Sequence, residues 1–164
     1  MCSDDKAHAR YDLGICATLE AESVGDPGAR RFRLRVAAEH GSALLWLEKE
    51  ELYELALTVK RVLRMPAVAT GGPVFAADHE TRVDYDFKVS RLALGHDRGS
   101  GRYMLLAQIS ETNEDDAIAL WAEPELLNHM ADRAFEVHDG GRPRCPLCSA
   151  PLSGAKAHVC PRAN

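Results

Sequence analysis

The sequence predicts an α+β fold in which two β-β-β-α units form an antiparallel sheet, or two packed sheets, with the helices on one face. Two observations predict this fold: a tryptophan-centred segment that occurs twice, and short runs with strand periodicity before each copy. A third observation, a C-terminus rich in cysteine and histidine, predicts a separate small module after the sheet. A chain of 164 residues, of which 46% are hydrophobic, is long enough to bury such a core.

The repeat is centred on Trp46 and Trp121, which are 75 residues apart. Each begins a Trp-x-Glu-x-Glu segment, followed by apolar residues at i, i+3, i+4 and i+7, the pattern of an amphipathic helix. Helices are therefore predicted from about residue 48 to 63 and from 124 to about 138. Acidic residues in each first turn suit the helix dipole, and Pro124 suits a first helical position. We expect both indoles to fill the space between sheet and helices.

Three strands precede each helix in this interpretation. The predicted strands are residues 11–23, 31–36 and 43–47 in the first unit and 81–94, 102–110 and 117–121 in the second. The pair Tyr11-Asp12 recurs as Tyr85-Asp86, which extends the repeat upstream. Residues 64–78 are rich in Pro, Gly and Ala and predict a connecting loop. The repeats thus cover about 11–63 and 81–138.

The strand at 31–36 carries a stripe of arginines, Arg31, Arg33 and Arg35, that alternates with apolar residues. The pattern favours a solvated outer sheet face on which acidic residues of a neighbouring strand pair with the arginines. The alternative is that the stripe receives a phosphate or a carboxylate.

The last twenty residues contain Cys145-Pro-Leu-Cys148 and His158-Val-Cys160. Zinc prefers four nitrogen or sulfur ligands in a tetrahedron, and two cysteines separated by two residues are the usual first half of such a site. His158 and Cys160 would lie on one face of an extended segment, so both can reach one ion. The proline favours a tight turn whose backbone N–H groups can point at sulfur. The sequence therefore predicts that Cys145, Cys148, His158 and Cys160 bind Zn²⁺ in a zinc knuckle or ribbon.

Four protein ligands leave no position for a reacting water, so the predicted zinc is structural. The apolar residues of this segment are too few to organise it without metal, so binding the ion would also fold it. Three regions follow: a flexible N-terminus at 1–10, a duplicated body at 11–139 and a zinc-binding tail at 140–164. Five cysteines, three of them in the tail, disfavour a disulfide framework. The absence of an apolar leader or membrane-length run predicts a cytoplasmic protein that does not enter membranes.

The charge distribution and the absence of common catalytic motifs exclude several classes of function. The net charge is −5, and the basic residues concentrate in the tail, so the acidic body disfavours nucleic-acid binding. The motifs Gly-x-Gly-x-x-Gly, Gly-x-Ser-x-Gly and His-Glu-x-x-His do not occur, and no catalytic residues are assigned. The favoured hypothesis is a non-enzymatic adaptor or protein-interaction module whose partner is another protein. The alternative is a small enzyme or binding protein for a phosphorylated or acidic metabolite, using the arginine stripe and His96 or His129.

Four segments carry a resemblance to a known family. They are Gly141-Arg-Pro-Arg-Cys-Pro-Leu-Cys with His158-Val-Cys-Pro-Arg, Tyr11-Asp-Leu-Gly, Val24-Gly-Asp-Pro-Gly-Ala-Arg, and Leu45-Trp-Leu-Glu-Lys-Glu. Together they resemble domain of unknown function 3090, an uncharacterised, mainly actinobacterial family. The resemblance implies a bacterial source and supports the zinc prediction, and it implies no particular reaction.

Overall fold

The computed structural model describes residues 9, 11–26, 28–65, 83–109, 111–112, 116–140, 145, 147–148, 150 and 158–162. Within these ranges the predicted α+β class is confirmed, with seven strands and two helices. In chain order they are β1 Tyr11–Val24, β2 Arg31–Ala38, β3 Gly41–Leu47, α1 Lys49–Leu63, β4 Val83–Lys88, β5 Arg91–His96, β6 Tyr103–Gln108, β7 Ala117–Ala122 and α2 Pro124–His138. Most of the predicted flexible N-terminus and of the connecting loop lies outside the described residues.

The strands form one sheet in the order β4-β3-β2-β1-β7-β6-β5. Strands β3 and β4 are parallel, and so are β1 and β7, while the other neighbours are antiparallel. The prediction of an antiparallel sheet is therefore wrong, because the sheet is mixed. Parallel neighbours need a long crossover connection, and α1 lies in the crossover between β3 and β4.

The strand predicted at 81–94 is in fact two strands that lie at opposite edges of the sheet. Between them, the N–H of Val89 donates to the carbonyl oxygen of Trp46 on β3 at 2.9 Å. The next N–H, of Ser90, donates to the carbonyl oxygen of Gln108 on β6 at 2.8 Å. The chain thus crosses from one edge strand to the other within two residues, so the sheet curls until its edges meet at this corner.

The core lies between one face of the curled sheet and the two helices, which also pack on each other. The apolar stripe of α1 is buried at Leu52, Leu55, Ala56 and Val59. The strands contribute alternate residues such as Leu34 and Leu45, both fully buried. The apolar periodicity read from the sequence therefore marks the side of each element that faces the core. Neither helix among the described residues is long and apolar enough to cross a membrane.

The two tryptophans lie on the outer face of the sheet, away from the helices. Residues on either side of each indole are core residues, Leu45 and Leu47 around Trp46 and Leu120 and Ala122 around Trp121. Since side chains alternate along a strand, the indoles must project from the opposite face. The prediction that they fill the space between sheet and helices is therefore wrong.

Candidate metal centre

The four predicted ligands come together in the C-terminal segment. The ligand atoms of Cys145, Cys148, His158 and Cys160 all lie within 4.8 Å of one another, so the group could hold a metal ion. The Sγ atoms of Cys145 and Cys160 are 3.7 Å apart. The Sγ of Cys148 lies 3.2 Å from Nε2 of His158. Each close pair therefore joins one cysteine of the Cys-x-x-Cys turn to one residue of the His-x-Cys segment.

The turn after Cys145 directs backbone N–H groups at its sulfur. Hydrogen bonds from the N–H groups of Cys148 and Leu147 lower the pKa of Cys145 to about 6. The N–H of Cys145 itself donates to the carbonyl oxygen of Ala150 at 2.9 Å, which closes the turn. The prediction that the Cys-x-x-Cys turn points its amides at sulfur is confirmed. These amides favour the thiolate, the form of cysteine that binds metals.

The neighbouring thiols oppose ionisation of Cys148. The N–H of Ala150 acts to lower its pKa, but burial and the proximity of Cys145 and Cys160 outweigh this and raise the pKa of Cys148. Like charges this close cannot all form without a compensating cation. A divalent cation among the sulfurs would supply that compensation and deprotonate the remaining thiols.

Apolar side chains next to the cluster face solvent. Leu147 is 52% exposed and Val159 is 87% exposed, and each is next in sequence to members of the Cys/His cluster. Arg162 crosses between the two segments, where its Nη1 donates to the carbonyl oxygen of Leu147 at 3.4 Å. The cluster thus has exposed apolar groups on its surface and a cation beside it.

The arginine stripe pairs with acidic residues of β1, as predicted. The Nε atoms of Arg33 and Arg35 donate to the two carboxylate oxygens of Glu22 at 2.8 and 2.7 Å. Arg35 also pairs with Glu20. Burial acts to raise the pKa of Glu22, but the hydrogen bonds from Arg35 and Arg33 outweigh it and hold the pKa below its ordinary value. Arg31 instead stacks on Trp46, with its guanidinium carbon 4.2 Å from the ring centroid.

The histidines of the alternative hypothesis lie away from this stripe. His96 stacks on Tyr103 at 4.5 Å between ring centroids, and Tyr103 belongs to the core on the helix side of the sheet. His129 is exposed on α2, which packs on that same side. The arginines project from the opposite face, because the residues that alternate with them, Phe32, Leu34 and Val36, are in the core. The structure therefore does not bring the arginines and these histidines together.

Two polar contacts were missed in the sequence. Nε1 of Trp46 donates to Oδ1 of Asp86 at 2.6 Å, and Nε1 of Trp121 donates to Oδ2 of Asp12 at 3.4 Å. The recurring Tyr-Asp pair was the signal that could have revealed them. The remaining described thiol, Cys16, is buried in the core, where burial raises its pKa to about 12. It is therefore a packing residue, as expected for a small residue in a strand.

Comparison with known proteins identifies the family of the chain. A family model described as a protein of unknown function (DUF3090) matches residues 11–160, which include all four members of the cluster. Searches of the curated proteins and of the solved structures found no match to the chain.

Proposed function

The chain belongs to the DUF3090 family, and from this premise we propose that it is a non-enzymatic protein-interaction module whose C-terminal segment folds around a structural zinc ion. The observation that carries the proposal is the convergence of three thiols and one imidazole within 4.8 Å. Sulfur-rich sites of four ligands select zinc among the metals that proteins commonly bind.

One sulfur–sulfur distance within the cluster matches zinc coordination. Two sulfurs bound about 2.3 Å from one tetrahedral zinc lie roughly 3.8 Å apart. The Sγ atoms of Cys145 and Cys160 are 3.7 Å apart, close to that separation. The imidazole meets the cluster through Nε2, a usual zinc-binding atom of histidine. With all four positions taken by protein, the ion holds the segment together and leaves no place for a reacting water.

An interaction role is supported by the surface around the cluster. Leu147 and Val159 are exposed, and each is next in sequence to members of the cluster, so both are available for contact with another protein. Three thiolates on one Zn²⁺ would leave a charge of about −1, which Arg162 would offset. The partner is another protein, and a reduced thiol cluster suits a cytoplasmic location, which fractionation of cells expressing the protein would test.

Measuring the metal content of the purified protein tests the proposed zinc site. The purified protein should contain about one zinc per chain, and Cys145→Ser should lose it. Cys2→Ser is the matched control, since it removes a cysteine outside the cluster and should keep the metal. A Cys145→Ser protein with undiminished zinc would contradict the proposal.

A double variant tests the interaction. Leu147→Asp with Val159→Asp keeps every proposed ligand, so binding of a partner that binds the wild type should be lost while zinc is retained.

We also propose that the body arose by duplication of the β-β-β-α unit. The two helices are both 15 residues long and both follow a tryptophan-bearing strand. Each of those tryptophans bonds an aspartate of the parallel neighbouring strand. Self-alignment of family sequences at an offset near 75 residues would test the duplication, and similarity no greater than at other offsets would contradict it.

A further inference from the structure

A groove separates the edge strand β5 from helix α1. Its volume is about 310 Å³, and apolar side chains of Leu47, Leu55 and Leu94 line it. The polar residues along it include Glu51 and Glu54 of α1 and Arg91 of β5. The groove lies on the body, remote in sequence from the metal centre, so it is independent of the zinc proposal.

Strand β5 borders this groove with the edge that has no neighbouring strand among the described residues. It pairs with β6 on one side, and within the described part of the chain no strand pairs with its other side. The N–H of Asp97 donates to the carbonyl oxygen of Arg102 at 2.8 Å, which fixes the alternation of the ladder. Residues at 91, 93 and 95 therefore bond to β6, while the N–H and C=O groups of Leu92, Leu94 and His96 point outward.

An open strand edge beside an apolar groove is the arrangement that accepts an added strand. The backbone edge selects an extended occupant, because only an extended chain can match its donors and acceptors in succession. The leucines select apolar side chains on the face of that strand turned toward the groove. Six residues of β5 would pair with a segment of similar length.

The charged residues around the groove determine which net charge is favoured in a bound segment. Two carboxylates, Glu51 and Glu54, face one cation, Arg91. Glu51 already accepts the N–H of Glu48 at 2.8 Å, which leaves Glu54 as the more available carboxylate. A second copy of this chain would bring the same carboxylates and a net charge of −5, so self-pairing at this edge is disfavoured. A basic partner is favoured.

We propose that β5 and α1 form a docking site for an extended peptide segment of a partner protein in which apolar residues alternate with lysine or arginine, bound as an additional strand on β5. The backbone of Leu92 and Leu94 holds the segment, the leucines receive its apolar side chains, and Glu54 pairs with a basic one.

Hydrogen exchange measured by NMR on the full-length protein tests this site. The probe is an eight-residue, end-blocked peptide in which valine alternates with lysine. Before its addition, the amides of Leu92 and Leu94 should exchange faster than those of Ala93 and Gly95, which bond to β6. At a peptide concentration ten times its Kd, exchange at Leu92 and Leu94 should slow about tenfold.

Two comparison peptides and two variants separate the contribution of charge from that of backbone pairing. The peptide with glutamate in place of lysine should bind at least about fivefold more weakly, and a central proline should abolish the protection. Glu54→Lys should weaken the lysine peptide about fivefold, whereas the matched control Glu125→Lys, on α2, should leave its affinity unchanged.

Four outcomes would overturn the proposal. They are slow exchange at Leu92 and Leu94 before any peptide is added, no added protection from the lysine peptide, equal binding of the glutamate peptide, and a dimer formed through β5 in its place. Zinc content is measured on the same samples, so failure at the groove is distinguishable from failure of the metal centre.

Discussion

Replacing Glu22 by glutamine removes the charge that pairs β1 with two arginines of β2. The carboxylate of Glu22 accepts from Arg33 at 2.8 Å and from Arg35 at 2.7 Å, and 26% of its side chain is exposed. Exposed ion pairs contribute about 0.2–1 kcal/mol each. With two pairs on one half-buried carboxylate, we expect Glu22→Gln to lower the free energy of unfolding by about 1–1.5 kcal/mol at pH 7.

The pH dependence follows from the lowered pKa of Glu22, which arises because the hydrogen bonds from Arg35 and Arg33 outweigh the opposing effect of burial. A carboxyl whose pKa is lower in the folded than in the unfolded state stabilises the fold fully above its unfolded pKa. That stabilisation is lost as the pH falls through the folded pKa. The difference between wild type and Glu22→Gln should therefore be full at pH 7 and shrink as the pH falls below the ordinary pKa of glutamate.

Urea unfolding followed by far-UV circular dichroism at pH 7 and at pH 3 measures this difference. Glu20→Gln is the matched control, since among the described residues Glu20 pairs with Arg35 alone and is 41% exposed, so it should cost about half as much. A difference that is equally large at both pH values would refute the electrostatic explanation. So would a Glu22→Gln protein as stable as the wild type at pH 7.

Three further results are expected. Leu45→Ala should destabilise the protein by about 2–5 kcal/mol in urea unfolding, because Leu45 is fully buried, whereas Leu147→Ala should change stability by less than about 0.5 kcal/mol; equal effects would contradict the assigned burial. Gly14→Ala should lower the melting temperature more than Gly101→Ala, although both glycines have φ +75°. At Gly14 the new Cβ would lie 2.9 Å from the His40 ring and 3.2 Å from Cβ of Glu39, whereas at Gly101 nothing lies within 4 Å; equal losses would contradict this. Cys16 should resist a thiol reagent at pH 8 until the protein unfolds, since it is buried and burial raises its pKa to about 12; rapid labelling of the folded protein would contradict this.

The parts of the fold predicted correctly from the sequence are those encoded locally. Helix α1 was predicted from about residue 48 to 63 and spans Lys49–Leu63, because its apolar periodicity and acidic first turn lie within the segment itself. The arginine stripe was placed on an outer face for the same reason, since alternation is visible within one strand. The approach of Cys145, Cys148, His158 and Cys160 to one another was also predicted correctly, because the residue types and their spacing lie within one short segment.

The parts that were missed depend on which strands become neighbours. Neither Val89 nor Ser90 is a glycine or a proline, so the sequence has no turn signal at this point. It therefore does not reveal that the predicted strand is two strands at opposite edges of the sheet. The parallel pairs of β3 with β4 and of β1 with β7 join segments far apart in the chain, which periodicity does not report. The predicted face of Trp46 is wrong because Leu45 and Leu47 on either side face the core, and alternation along the strand puts the indole on the opposite face.

Zinc X-ray absorption of the purified protein tests the proposed closed, structural metal centre most directly. The proposal predicts three sulfur ligands at about 2.3 Å and one nitrogen at about 2.0–2.1 Å, supplied by Cys145, Cys148, Cys160 and His158. An oxygen ligand in place of one of these, or a zinc-free protein, would contradict a closed structural site.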